Sequence, residues 1–350
     1  MLSQASMKKN KTGPSELRFD PVSQDWVVIA TGRARRPSSF AKNHREVLPV
    51  SKKNCPFENL ASQEHPTLML YQGEEVPTFK GRKLPTNWTT VFLPNKYPAF
   101  SLKGRFVTRI VGPYEATDGV GFHEVVVTKD HKKDIPDLPQ NLVVELVQGY
   151  VRRYVAFKDY PFVNYIAIFK NKGPAAGASL AHPHSQLMAI PILDPDIQRS
   201  LAGSEAYAKA NGGACAHCAM VAWDRKDKSR IVFENKCMVA LCPFASQVAF
   251  EIRVYPKRHT EHFESITEHE IACFAEAMRK VLRKLSLGLK NPDYNYFIHT
   301  APADKGSYDY YHWHLEILPK TSTWAGFELS TGIPISTLEP EEAAAYLRKQ

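Results

Sequence analysis

Two stretches of the chain carry the same order of apolar and polar positions. The first runs "GFHEVVVTKDHKKDIPDL", "PQNLVVELVQGYVRRYVAF", "NYIAIFKNKG" and "AHPHSQLMAIP". The second runs "AFEIRVYPKRHTEHFESI", "TEHEIACFAEAMRKVLRKLSLGL", "YNYFIHTAPADKG" and "YHWHLEILP". Each predicts an apolar β-branched strand, a loop with a histidine, an amphipathic helix, another strand, and a final strand that opens on His-x-His. In the second helix Ile271, Phe274, Met278 and Val281 recur three and four residues apart, a helical stripe. Thr267 with Glu270 three residues on predicts a capping box at its start. His131 and His182 are 51 residues apart, and His259 and His312 are 53 apart. Upstream of each pair lies a short element, Cys55-Pro-Phe-Glu58 and Cys215-Ala-His-Cys218. The pattern predicts an α+β fold of two tandem, pseudo-symmetric halves, each an antiparallel sheet backed by a long helix. They span 17–193 and 194–350, dividing near Asp194, where the chain turns polar and small. Residues 1–16 read as a disordered basic tail.

Composition narrows the class. There is no run of about 18 apolar residues and no apolar segment at the N-terminus, so neither a membrane span nor a signal peptide is expected, and the protein is expected in the cytoplasm. The 45 basic residues exceed the 36 acidic ones, giving +9, which suits anionic partners such as phosphates. The basic residues are scattered and not interleaved with aromatics, so no nucleic-acid partner is expected. Without a secretion signal, the "CAHC" stretch reads as a metal or redox element rather than part of a disulfide framework. A redox C-x-x-C opens a helix after a strand; this one follows a small-residue loop, which favours metal. Cys55, Cys237, Cys242 and Cys273 stand apart in the sequence.

The repeated histidines and cysteines group into two ligand sets. Cys215, Cys218, His259 and His312 offer two sulfurs and two nitrogens, a set that suits tetrahedral Zn2+; His299 and His314 stay open as competing ligands. Cys55, Glu58, His131 and His182 offer a first, weaker set, because a carboxylate replaces one thiolate. In "LAHPHSQLMAIP" a strand would place His182, His184 and Gln186 on one face. With His182 used as a ligand, His184 is the free imidazole. It follows "NKGPAAGASLA", whose small residues let backbone N–H groups approach an anion. No comparable loop precedes His314. A neutral imidazole there can attack phosphorus, and Gln186 can donate to the phosphoryl oxygens as charge develops.

With these residues assembled, the sequence resembles the galactose-1-phosphate uridylyltransferase family of the histidine-triad superfamily. The resemblance rests on "LRFDPVSQDWVVIATGRARRP", "CPFE", "NKYPAF", "NKGPAAGASLAHPHSQ", "AFEIRVYPKRH", "YHWH" and "AGFEL". It implies two histidine-triad-like halves and a ping-pong reaction in which a histidine takes a nucleoside monophosphate from a sugar nucleotide and passes it to a hexose 1-phosphate. His184 matches the nucleophile and Gln186 the residue that holds the phosphoryl group. Asn171 and Ser179 match phosphate or ribose contacts, and Arg33 and Arg36 the arginines near the nucleotide phosphates. Asn95 and Phe57 match the nucleobase pocket. Cys55, His131 and His182 match positions of the first zinc site. Phe327 and Glu328 match a hexose-binding segment that, in this family, reaches into the neighbouring subunit of a homodimer.

The departures are specific. Glu58 stands for the second cysteine of the first zinc site, Lys96 follows Asn95 where an acid is common, and Phe327 stands where a tyrosine is common. Ser322 stands for the lysine that opens the hexose segment. The resemblance implies a UDP-glucose–hexose-1-phosphate uridylyltransferase of galactose metabolism. The C-x-x-C pair of the second half looks more like a branch that handles ADP-glucose, with adenylyl transfer to phosphate. A nucleotide hydrolase using the same histidine is the remaining reading.

Overall fold

The computed structural model describes residues 14–30, 37–42 and 51–350. In the first half, β1 (Glu16–Phe19) and β2 (Trp26–Ile29) precede β3 (Leu68–Tyr71), β4 (Glu74–Glu75) and β5 (Thr90–Pro94). A hairpin of β6 (Arg109–Val111) and β7 (Tyr114–Ala116) leads to β8 (Phe122–Thr128), α1 (Gln140–Lys158), β9 (Tyr165–Lys172) and β10 (His184–Ile190). The second half begins with α2 (Pro195–Ala210) and α3 (Ala216–Asp227), then β11 (Ile231–Glu234), β12 (Met238–Leu241) and β13 (Ile252–Pro256). It continues through α4 (Glu268–Leu289), β14 (Tyr294–His299), β15 (His314–Pro319), α5 (Gly326–Thr331), β16 (Ile335–Ser336) and α6 (Pro340–Arg348). The expected tail lies outside the described residues up to 13; Glu16 is already in β1. No described helix is long and apolar enough to cross a membrane.

The architecture is mixed α and β around one large antiparallel sheet. Its eleven strands run β11-β12-β13-β15-β14-β9-β10-β8-β5-β3-β4. The expected pair of separate sheets is therefore a single one, because β9 and β14 pair, with Phe169 opposite Phe297. An unpaired edge at either strand would have left a row of N–H and C=O groups to water. Outward from that junction the order is β9-β10-β8-β5 on one side and β14-β15-β13-β12 on the other. The strands that begin at His184 and at His314 thus hold corresponding places.

The two long helices cover one face of this sheet. Ile271, Phe274, Met278 and Val281 of α4 are all buried, as the stripe predicts, and each such side chain contributes roughly 1.5–3 kcal/mol. The capping box forms: Glu270 N–H donates to Thr267 Oγ1, and Thr267 N–H to the Glu270 carboxylate. From α1, Val143, Leu146, Val147 and Tyr150 join the same core as Leu187 and Ala189 of β10. Since Leu187 and Ala189 face the helices, His184 and Gln186 face the other way.

Candidate active site

Strand β10 starts one residue after Pro183, which has no N–H for a ladder. The expectation that three polar side chains share one face needs correcting. His184 and Gln186 share the open face and are half-buried, but His182 precedes the strand and is 1% exposed. Its ring turns instead into a cluster of possible ligands. His182 Nε2 lies 2.8 Å from the Thr128 carbonyl oxygen, so Nε2–H donates there and Nδ1 keeps its lone pair. That Nδ1 is 3.5 Å from Cys55 Sγ and 3.7 Å from a Glu58 oxygen, and the same oxygen is 2.9 Å from His131 Nδ1. Three of the four expected donors, those of Cys55, His131 and His182, lie within 4.8 Å of one another, and Glu58 adjoins the two histidines without being within that distance of all three.

The second set converges too. Cys215, Cys218, His259 and His312 place their donor atoms within 4.8 Å of one another. Cys218 Sγ is 3.3 Å from His259 Nδ1 and 3.4 Å from His312 Nδ1, while His259 Nε2–H donates to the Asp309 carbonyl at 2.8 Å. His299 and His314 are not members. Cys215 caps α3 and Cys218 sits in its first turn, so the C-x-x-C does open a helix. It follows a helix and a turn rather than a strand, and two imidazoles complete it. Sets of two sulfurs with two nitrogens, and of one sulfur, two nitrogens and a carboxylate, both fit a tetrahedral metal ion. A further group was not expected: Cys237 and Cys273, read as isolated, lie with their sulfurs 2.6 Å apart, and His269 Nε2 is 4.0 Å from Cys273. The His269–Cys273 spacing of one helical turn was the available signal.

His184 lines a cavity of about 480 Å³ together with Asn171, Ser179, three lysines (Lys132, Lys170 and Lys172) and three aspartates (Asp134, Asp137 and Asp293). Its Nδ1 is 2.9 Å from the His182 carbonyl oxygen, so Nδ1–H donates and the Nε2 lone pair is left available. Burial lowers its pKa, and the nearby Lys170 ammonium, itself paired with Asp134 at 2.9 Å, acts in the same direction. A neutral ring with one free nitrogen can attack an anionic phosphorus centre.

The small-residue loop behaves differently from the expectation. The amides of Ala175, Ala176, Gly177 and Ala178 are all bonded within the protein, the first to Asp293 Oδ2 at 2.8 Å. Ser179, Leu180 and Ala181, which follow them, line the cavity. Gly173 has φ +79°, and a Cβ there would lie 1.9 Å from Asp293 Oδ1. Asn295, also from the second half, donates to Asn171 Oδ1 at 2.8 Å and to the Ala176 carbonyl at 2.9 Å. The loop beside His184 is therefore shaped by residues of the other half.

The remaining expected residues divide. Phe57 is 5% exposed, with its ring against His182 and His184 at 5.6 and 5.4 Å between centroids. Asn95 lines another cavity of about 690 Å³ with Lys96 and His123. Phe327 and Glu328 lie on α5 and do not line the His184 cavity. Arg33 and Arg36 lie outside the described residues.

Comparison with known proteins decides the family. A model described as "Galactose-1-phosphate uridyl transferase, N-terminal domain" matches residues 5–193, and one described as "Domain of unknown function (DUF4921)" matches 147–349. The chain belongs to the galactose-1-phosphate uridylyltransferase family. It is 31% identical to an ADP-glucose phosphorylase of Arabidopsis thaliana over 95% of this chain and 92% of that one. It is 28% identical to a galactose-1-phosphate uridylyltransferase of Thermotoga maritima over 95% and 98%. Among solved structures, the Arabidopsis thaliana ADP-glucose phosphorylase with bound ADP-glucose covers 96% of this chain and 99% of its own, with a TM-score of 0.78 and 29% identity. A uridylyltransferase superposes with a TM-score of 0.71 at 27% identity, covering 95% and 98%. This family places the chain among nucleotidyltransferases.

Proposed function

We propose that the chain moves a nucleoside monophosphate from a sugar nucleotide to an acceptor through a covalent nucleotidyl-histidine. The observation that carries this reading is that His184 is half-exposed and lines a cavity while its Nδ1–H is bonded to the His182 carbonyl, which leaves Nε2 as the accessible free base. That lone pair attacks the α-phosphorus, and the P–O bond to the sugar phosphate breaks, its electron pair leaving with the sugar 1-phosphate. An acceptor oxygen then attacks phosphorus and the P–N bond breaks, returning the neutral imidazole. Gln186 holds the phosphoryl oxygens, Lys170 and Lys172 add positive field, and Asn171 and Ser179 contact phosphate or ribose. Cys215, Cys218, His259 and His312, and in the first half Cys55, His131 and His182 with Glu58 beside them, would hold Zn2+, which would tie down the residues that precede the reactive strand and its counterpart without taking part in the transfer.

The finer reading has two forms. UDP-glucose as donor and hexose 1-phosphate as acceptor follows from the uridylyltransferase resemblance, with a homodimer bringing Phe327 and Glu328 of one subunit to the sugar held by the other. ADP-glucose as donor and phosphate as acceptor is favoured by the Cys215–Cys218 pair and by the 31% identity with an ADP-glucose phosphorylase. The two halves, 17–193 and 194–350, are read as tandem histidine-triad-like units. Incubating the protein with UDP-glucose and with ADP-glucose, then weighing the intact chain, tests the chemistry and names the base. Wild type should gain a uridylyl or adenylyl mass, and His184→Ala should gain neither. Absence of any adduct on wild type overturns the reading.

A further inference from the structure

Gln186 can hold a phosphoryl group only if its amide nitrogen, not its oxygen, faces the anion. Both ends have nearly the same shape, so something must select between them. His123, on β8 opposite Met188 of β10, is placed to do so. It is 8% exposed, and its Nε2 is 2.8 Å from Gln186 Oε1. Its Nδ1 is 3.2 Å from the backbone nitrogen of Ala99. A backbone N–H can only donate, so Nδ1 is the acceptor and the proton of the neutral ring resides on Nε2. Nε2–H then donates to Gln186 Oε1, and the Gln186 NH2 is left for other partners.

A second contact points to a ligand. Asn95 Nδ2 lies 3.0 Å from the same His123 Nε2, while Asn95 Oδ1 is held by the Tyr97 N–H at 2.9 Å. With the tautomer fixed, two donors meet at that point. Asn95 is only half-buried, so water can serve this donor in the free protein, and an oxygen of a bound nucleotide would take that place.

We propose that His123 is a positioning residue for nucleotidyl transfer, fixing the Gln186 amide with its nitrogen toward the phosphoryl group. This rests on the reading of His184 and Gln186 given above. The relay runs from the Ala99 amide through His123 to Gln186, and none of its members leaves or gains a proton during the reaction.

The test compares His123→Leu, which removes the donor, with His123→Gln, whose amide nitrogen reaches the place of Nε2. Turnover is measured with whichever sugar nucleotide labels wild type. His123→Leu should lower kcat about ten- to a hundred-fold, with little change in KM, because the lost interaction acts on the developing phosphoryl charge. His123→Gln should regain most of it. In a Gln186→Ala background, His123→Leu should cost nothing further, since both changes remove one unit. Wild-type-like turnover in His123→Leu overturns the proposal. So does an equal loss with and without Gln186, which is what a purely structural role produces. Nitrogen-15 imidazole shifts of His123 in the unreacted wild-type protein provide an independent arm. An Nε2–H tautomer is expected, and an Nδ1–H tautomer overturns the relay even if wild type forms no adduct and the proposed function itself falls.

Discussion

His184 and His314 begin corresponding strands, and their backbones treat them alike. Each Nδ1 faces the carbonyl two residues back, at 2.9 Å in the first half and 3.1 Å in the second. What covers the ring differs. His184 is half-buried and lines the cavity between Lys170, Lys172 and Asp293. His314 is 2% exposed, stacked on Tyr255 at 4.9 Å, with His299 at 4.9 Å and His217 at 5.1 Å between centroids. His217 comes from between the two cysteines of "CAHC", so the helix that builds the second ligand set also packs against this ring, although His314, His299 and Glu316 still line a cavity of about 410 Å³. The loop before His314 ends in Tyr311, which is wholly buried, where the first half has glycines and alanines. An identical hydrogen bond therefore yields a candidate nucleophile in one half and a core aromatic in the other. Access, not tautomer, separates them.

The largest expected effect breaks this comparison directly. His184→Ala should abolish the nucleotidyl adduct and turnover while the fold persists. Retention of one hundredth of wild-type turnover, a loss of only about 3 kcal/mol, would be too much for a missing nucleophile. His314→Ala should keep the adduct but lower the melting temperature, since truncating a fully buried ring costs roughly 3–5 kcal/mol. Adduct mass and thermal melting of both variants check the pair; loss of the adduct in His314→Ala with the fold intact would sink the comparison.

Much of this was legible in the sequence because it depends on local periodicity and repeated spacing. The helix stripe, the capping box, the Cys215–Cys218–His259–His312 grouping and strands that begin at the second histidine of each His-x-His follow from residues near one another or from a pattern that occurs twice. What was not legible depends on contacts between distant segments. The fusion of two sheets rests on which edge strands meet. The satisfied amides of 175–178 depend in part on Asp293, and the burial of His314 depends in part on His217. His123 has no local signal, since its role arises only when the Ala99 amide and Gln186 are brought to its two nitrogens.

Metal removal ranks next. Cys218→Ser should lower zinc content and melting temperature together, because a structural ion with four protein ligands contributes directly to folding. Elemental analysis beside calorimetry checks this, and an unchanged melting point in zinc-free protein would mean the second set is not a structural site. The first set should release zinc more readily, since the Glu58 carboxylate is a harder ligand than a thiolate. Glu58→Cys should raise zinc retained after mild chelation toward two per chain. Loss of the first ion should reduce turnover by releasing His182, and with it the backbone carbonyl that orients His184. Equal zinc and equal turnover in wild type and Glu58→Cys would remove Glu58 from the ligand set.

The smallest effect concerns what stands in the second half where the first has His123 and Gln186. Glu316, two residues after His314, takes the place of Gln186, and its register partner Arg253 contacts it at 2.9 Å. Arg253 also reaches Asp20 at 2.8 Å and Glu251 at 3.2 Å, all of them buried. One guanidinium shared by three carboxylates cannot hold them all ionised in a dry site. Glu251 is the one that gives way: burial pushes its pKa from 4.5 up to about 8, Glu316 adds to the rise, and Arg253 opposes it. A carboxyl whose pKa is raised by folding stabilises the fold below its unfolded pKa and loses that contribution as pH rises through the folded value. Stability from this group should therefore be full below about pH 4.5 and decline up to about pH 8, by at most about 1.4 kcal/mol per pH unit. Glu251→Gln keeps the neutral shape and should flatten that decline, leaving turnover intact because Glu251 does not line the His184 cavity. Melting temperatures of wild type and Glu251→Gln across pH 5 to 9 measure it. Parallel curves would show that Glu251 is ionised in the fold, and that the second half carries a fully charged cluster where the first carries a neutral relay.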